Sequence, residues 1–137
     1  MRTAIDTNIL SALWSNENSA ANLAQHLGER KNEGALLIAP VVYAELLAYP
    51  GATESYVDGF LSDTGITVDF QIDGAVWLDA GRRFAHYAAQ RRKSGIGNPK
   101  RLLADFLIGS HALLQADRLM TLDANRYRQY FPELKLI

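Results

Sequence analysis

A chain of 137 residues carrying a net charge of −1 and 48% apolar residues has the material for one domain with a real core, and is too apolar for global disorder. It has no cysteine, which excludes disulfides, thiolate nucleophiles, zinc–cysteine sites and iron–sulfur clusters. No apolar run approaches the roughly 18 residues of a membrane span, and no signal-peptide core opens the chain, so the expectation is one soluble cytoplasmic domain over residues 1–137.

In chain order, strand-like runs are expected at Thr3–Ile5, Ala35–Ala39, Ile66–Phe70, Leu119–Leu122 and Leu134–Ile137. Helical patterns lie between them. Ala20, Leu23, Ala24 and Leu27 repeat at helical spacing, with Gly28 a candidate stop. Pro40 suits the first position of a helix over Val41–Tyr49 that Pro50-Gly51 ends. Asp73 can cap a helix whose stripe is Trp77, Ala80, Gly81, Phe84 and Ala88, and Asn98-Pro99 reads as the start of a helix over Leu102–Ala116. A last helix is expected over Ala124–Tyr130. Strands alternating with helices predict an α/β sandwich, a central, mainly parallel five-stranded sheet with helices on both faces, whose ligands bind beyond the carboxyl ends of the strands.

Four acids stand where acids are unusual. Asp6 and Asp123 each follow a strand, at that carboxyl edge, and each is either a helix cap or a functional group. Glu45 falls within the apolar arc of its helix, where a carboxylate is costly unless paired or bound; its alternative is an edge glutamate whose head reaches water. Asp105 lies in RLLADFLIGSHALLQA, apolar nearly all round and so buried. With Pro99 at the first position it is beyond the capping turn, and Arg101 is the alternative partner. Gly109, one turn on, leaves space near it. Four carboxylates meeting in a cleft repel one another and protonate unless a cation neutralises them, and hard oxygen donors suit Mg²⁺ or Mn²⁺. Phosphoryl transfer is the chemistry such a site favours.

Charge is also uneven. Arg82, Arg83, Arg91, Arg92, Lys93, Lys100 and Arg101 make up half of the 14 Lys and Arg, and no acid lies among them. Such a segment can hold a polyanion locally, or the charge of Arg91–Lys93 simply favours a helix C-terminus. His26, His86 and His111 show no ligand spacing and are read as surface or packing residues. Trp14, Trp77, Tyr127, Tyr130 and Phe131 are read as core or dimer interface.

IDTNIL, VVYAELLA, LLADFLIGSHAL and LMTLD, in this order and spacing, resemble the PIN-domain ribonucleases, most closely the VapC-type toxins of prokaryotic toxin–antitoxin modules. The likeness runs through the closing YRQYFPELKLI. It implies a PIN-like three-layer sandwich and a catalytic quartet of Asp6, Glu45, Asp105 and Asp123. Asp6, Asp105 and Asp123 would be ligands of one or two Mg²⁺ or Mn²⁺ ions, and Glu45 would act through water or as a base. Asn8 and Thr121 would orient carboxylates or water; Pro40 stands where many relatives have Ser or Thr. Arg101, Lys100 and Arg92 would contact RNA or the antitoxin. The implied activity is metal-dependent endoribonuclease cleavage by a homodimeric toxin held in check by a cognate antitoxin.

Three other functions compete. A phosphotransfer receiver domain would need an acidic pair after the first strand and a lysine after the last ones; Asp6 is single and no lysine follows Leu122. A haloacid-dehalogenase-type phosphatase would need Asp-x-Asp, and Asn8 occupies the second position. A non-catalytic PIN-like domain that binds RNA or protein is less in keeping with four retained acids.

Overall fold

A computed structural model describes residues 1–16, 18–95 and 100–137. The chain runs β1 (Arg2–Ile5), α1 (Thr7–Trp14), α2 (Ala20–Glu33), β2 (Ala35–Ile38), α3 (Pro40–Leu47), α4 (Glu54–Thr64), β3 (Ile66–Val68), α5 (Gly74–Ser94), α6 (Leu103–Gln115), β4 (Arg118–Met120) and α7 (Ala124–Arg128). The strands form one parallel sheet in the order β3-β2-β1-β4. Helices on both faces make it the three-layer α/β sandwich expected, because strands buried on two sides need apolar runs, and RTAI, ALLI and RLM supply them. The central strands β1 and β2 put Ala4, Ile5, Leu36, Leu37 and Ile38 in the core.

The sheet has four strands, where five were expected. Leu134 donates its N–H to the Phe131 carbonyl at 3.1 Å, closing a turn. Pairing with β4 therefore begins only at Lys135, and Leu136 forms a single parallel bridge with Leu119. The C-terminal segment covers the outer edge of β4 without becoming a regular strand.

Several local expectations change. Gly28 does not stop α2, which continues to Glu33 and ends against Gly34. Pro40 does open α3, but the helix ends at Leu47, before Pro50. Asp73 caps α5 by accepting the Ala75 N–H at 3.2 Å. The buried stripe of that helix is Val76, Ala80 and Tyr87, whereas Trp77 is 57% exposed and Gly81 faces solvent. The helix α4 was not expected. Its signals are a Thr53 cap that accepts from Tyr56 N–H at 3.1 Å, Val57 and Leu61 one turn apart, and Gly65 in the left-handed conformation that ends it. The proposed start at Asn98-Pro99 lies outside the described residues. The helix that follows begins at Leu103.

Gly109 also has a different purpose from the one expected. A Cβ there would come within 2.6 Å of the Phe131 ring, and Phe131 is packed in the core against Phe106 and Tyr127. The missing side chain admits Phe131, which ties α6 to the C-terminal segment. Gly109→Ala would gain about 1 kcal/mol of helix propensity but overpack this contact at about 1–3 kcal/mol. The net expectation is a lower thermal midpoint by a few degrees, measured by circular dichroism; an unchanged or raised midpoint would show that Phe131 yields freely.

Candidate functional site

The site is built at the carboxyl edge of β1 and β4. Pairing of Ile5 with Met120 is followed by an Asp6 N–H bond to the Met120 carbonyl at 3.0 Å. The register thus sets Asp6 beside Thr121. Asp6 occupies the N-cap position of α1 by backbone, but its side chain caps nothing. Instead its Oδ2 accepts hydrogen bonds from Thr121 Oγ1 and from the Tyr127 hydroxyl, both at 2.8 Å. Asp6 is 3% exposed, and Tyr127 is fully buried.

A further layer holds Thr121. Its Oγ1 accepts from Asn8 Nδ2 at 3.3 Å and from the Asp123 N–H at 3.1 Å, while Asn8 Oδ1 accepts the Leu122 N–H at 3.1 Å. Neither Thr7 nor Asn8 caps α1. The Thr7 hydroxyl donates to Glu45 Oε1 at 2.7 Å, tying α3 to the start of α1. Asn8 and Thr121, expected to orient carboxylates or water, lie in one hydrogen-bonded layer against Asp6.

The other acids gather around a cation that sequence reasoning overlooked. Arg126 Nη1 lies 3.4 Å from Asp105 Oδ1, and its Nε lies 3.3 Å from Asp123 Oδ2. Arg101, the alternative partner considered for Asp105, donates its backbone N–H to the Tyr87 hydroxyl at 2.6 Å. Because α6 starts at Leu103, Asp105 lies in the first turn after all, and its Oδ2 accepts the Leu102 N–H at 3.0 Å. Asp123 likewise caps α7, accepting the Arg126 N–H at 3.2 Å. In both residues one carboxylate oxygen caps a helix and the other faces Arg126. Glu45 is exposed beside the buried Leu46 rather than sunk in the apolar face, as the edge alternative would have it.

Electrostatics follow from this crowding. Burial pushes the Asp6 carboxyl above the ordinary aspartate range, against the pull of the Tyr127 and Thr121 hydrogen bonds. Glu45 is also raised, by desolvation first, with the charges of Asp6 and Asp105 adding to it. The Tyr127 hydroxyl is pushed far up by burial and by the Asp6 charge, so it stays a donor. Burial would lower Arg126, but Asp105 and Asp123 outweigh it and hold it charged. The charges of Asp6 and Asp105 thus act on Glu45, and Arg126 links Asp105 to Asp123. Among the described residues no three of His, Cys, Asp and Glu close on a single point tightly enough to enclose a metal ion; Arg126 stands between Asp105 and Asp123 instead. The donor set is nevertheless all oxygen, and two of its carboxylates already share one cation, which is the chemistry a hard divalent ion requires.

Arg126 lies three residues after Asp123, an ordinary helical pairing, but no local spacing points Arg126 to Asp105 or Tyr127 to Asp6, which lie far along the chain.

The basic segment divides. Arg83 is consumed structurally: its Nε bonds Asp79 at 2.9 Å, its Nη1 bonds Glu133 at 2.8 Å, and its guanidinium lies 4.5 Å from the Phe131 ring centre. Arg92, Lys100 and Arg101, with Arg91 and Tyr87, line an open cleft of about 470 Å³. An apolar cavity of about 260 Å³ between Pro40, Val41, Trp77 and Leu107 contains none of the acids. His111 is a packing residue, buried with its Nε2 3.0 Å from Asp69. Among the described residues no helix is long and apolar enough to cross a membrane.

Comparison with known proteins bears on the family and the fold. A family model described as PIN domain matches residues 3–132. The VapBC-1 complex of nontypeable Haemophilus influenzae contains a chain with TM-score 0.69 and 22% identity, covering 100% of this chain and 97% of that one. VapBC2 of Rickettsia felis, solved bound to a DNA fragment from its promoter, gives TM-score 0.66 and 22% identity, over 100% of this chain and 98% of that one. No curated protein matches the sequence.

A buried aspartate raised above its unfolded value costs stability once pH exceeds that unfolded value. The folded state then holds the extra proton, so stability falls as pH rises through the window up to the folded pKa and stays lower above it. Asp6→Asn removes this charge and keeps an acceptor for Thr121 and Tyr127. At pH 7 the variant is expected to unfold at a higher temperature, by about 1 kcal/mol of added stability, with the gain shrinking as pH falls through that same window and gone below the ordinary aspartate range. A destabilised variant at pH 7 would show that the Asp6 charge holds the fold together.

Proposed function

The chain belongs to the PIN domain family, and on that premise we propose that it is a divalent-metal-dependent endoribonuclease, the toxin of a toxin–antitoxin pair. The observation that carries this reading is the Asp6 carboxylate, buried at a strand end and held by two hydroxyls beside Asp105, Asp123 and Glu45. A fold alone requires no such arrangement. It is one in which charge is kept at a structural cost, as at sites of catalysis.

Asp6, Asp105 and Asp123 would hold one or two Mg²⁺ or Mn²⁺ ions. When bound, such an ion polarises water and offsets charge on phosphate oxygens. Thr121 and Tyr127 fix one oxygen of Asp6 and so orient the other. Asn8 fixes Thr121 in turn. Glu45, whose proton affinity is raised and whose carboxylate is positioned by the Thr7 hydroxyl, is the base that takes the proton from the attacking water. Arg92, Lys100 and Arg101 would bind phosphates along the strand, or the acidic part of an antitoxin. The two VapBC neighbours are toxin–antitoxin complexes, which supports a cognate antitoxin partner here. The exposed Trp77 beside an apolar cavity supports a protein interface, as a homodimer needs.

Purified, antitoxin-free protein is expected to cleave RNA with Mg²⁺ or Mn²⁺ and to stop in EDTA. Asp6→Asn and Asp105→Asn each lower the rate by about 100-fold or more, the loss of several kcal/mol of charge stabilisation. Tyr127→Phe, which removes only the hydroxyl, lowers it by about 10–100-fold. Cleavage that persists in EDTA, or in both aspartate variants, rules the mechanism out. Expression alone should also arrest growth of the host cell, and co-expression of the small neighbouring gene should relieve it. If neither happens, the toxin assignment is wrong even where nuclease activity stands.

A further inference from the structure

Arg126 has no part in the chemistry just described, yet its side chain spans two of the proposed ligands. Its Nε and Nη1 reach Asp123 and Asp105 at 3.3 and 3.4 Å, and its charge also acts on Asp6 and Glu45. No other cation has this relation to the quartet among the described residues' ion pairs. We propose that Arg126 is a tethered competitor for the divalent cation: its guanidinium takes the place between Asp105 and Asp123, and metal binds only as that side chain swings away. The inference rests on the metal-site reading above and adds that the chain itself sets the threshold for loading.

Three features support displacement over a fixed structural bridge. Both contacts are longer than the roughly 2.7–2.9 Å of well-made charge-assisted bonds, and each carboxylate is reached by one nitrogen, not by the two-armed fork that makes Arg pairs strong. The Arg126 side chain is 38% exposed, and Asp123 is 43% exposed, so solvent is open to it on leaving. Arg83 shows what a fixed arginine looks like in this fold. It is 18% exposed, bonds two acids at 2.8–2.9 Å, also bonds the Tyr130 carbonyl, and lies over a ring. Apart from the two carboxylates, Arg126 is held among the described residues by its backbone N–H, which bonds the Asp123 carbonyl and Asp123 Oδ1, both at 3.2 Å.

The test is Mn²⁺ binding by the full chain without RNA, followed by the spin-resonance signal of free Mn²⁺ at low salt, for wild type, Arg126→Gln, Arg126→Lys and Arg128→Gln. Arg128 pairs only with Asn125 among the described contacts and is exposed, so its loss controls for net charge. Arg126→Gln is expected to bind Mn²⁺ about three- to tenfold more tightly, in line with the loss of two partly exposed ion pairs. Arg126→Lys should fall between that and wild type, because an ammonium cannot span both carboxylates as a guanidinium does. Arg128→Gln should change affinity less than twofold, and added salt should narrow all the differences (roughly, as screening requires). Metal-free melts report whether each variant folds, and where Arg126→Gln does not, the gain in Arg126→Lys decides. Equal or weaker binding by the Arg126 variants overturns the proposal, as does an equal gain in Arg128→Gln. If those results come with EDTA-sensitive cleavage, the metal site stands and only the competitor role falls. If wild type and every variant take up no Mn²⁺, both fail.

Discussion

A carboxylate with almost no access to water organises this molecule. Asp6 ends the central strand β1, and its Oδ2 is shared by a threonine after β4 and a tyrosine from α7. A buried charge is tolerable only when hydrogen-bonded or neutralised, so the two hydroxyls and the strand register that delivers Thr121 are conditions for Asp6 to exist there at all. The cost is visible in the raised proton affinity of Asp6. The protein's own hydrogen bonds compensate that charge incompletely.

From that constraint the rest of the edge follows. Parallel pairing sends the ends of β1, β2 and β4 to one side, so the loops and helices that follow them, with Glu45 on α3 and Asp123 before α7, crowd around Asp6. The helix α6 brings in Asp105 with its first turn. Membership of the PIN family and the full-length overlap with the VapBC chains describe the same frame. The polar layer made by Asn8, Thr121 and the backbone of Leu122 and Asp123 ties the start of α1 to the turn after β4. Positioning of this kind suits a site whose donors must meet an ion at fixed angles.

Much of this was legible in the sequence. Strand positions, the α/β alternation and Pro40 at a helix start follow from short apolar runs and local turn chemistry, which neighbours in sequence decide. What was illegible depends on partners far along the chain. Gly109 is small because Phe131 arrives from another segment. Arg83 looks like one of a basic group but is answered by Asp79 and Glu133. Leu134–Ile137 has the composition of a strand, yet a turn bond takes its first N–H. Trp77 was assigned to a stripe shifted by one residue from the true one, so it lies outside the core. Four acids could be singled out because each was locally out of place. Tyr127 and Arg126 could not, because a tyrosine in a core and an arginine on a helix are each ordinary until the acid they face is known.

The central claim is that Asp6 keeps a costly charge in order to bind a divalent cation. Thermal unfolding of the metal-loaded and metal-free protein across a series of Mg²⁺ concentrations tests it directly, because an ion that binds only the folded chain raises the midpoint with the logarithm of its concentration. The account predicts a midpoint that climbs with Mg²⁺ in wild type and stays flat in Asp6→Asn and Asp105→Asn. A wild-type midpoint indifferent to Mg²⁺, or a climb of equal size in the variants, would contradict it.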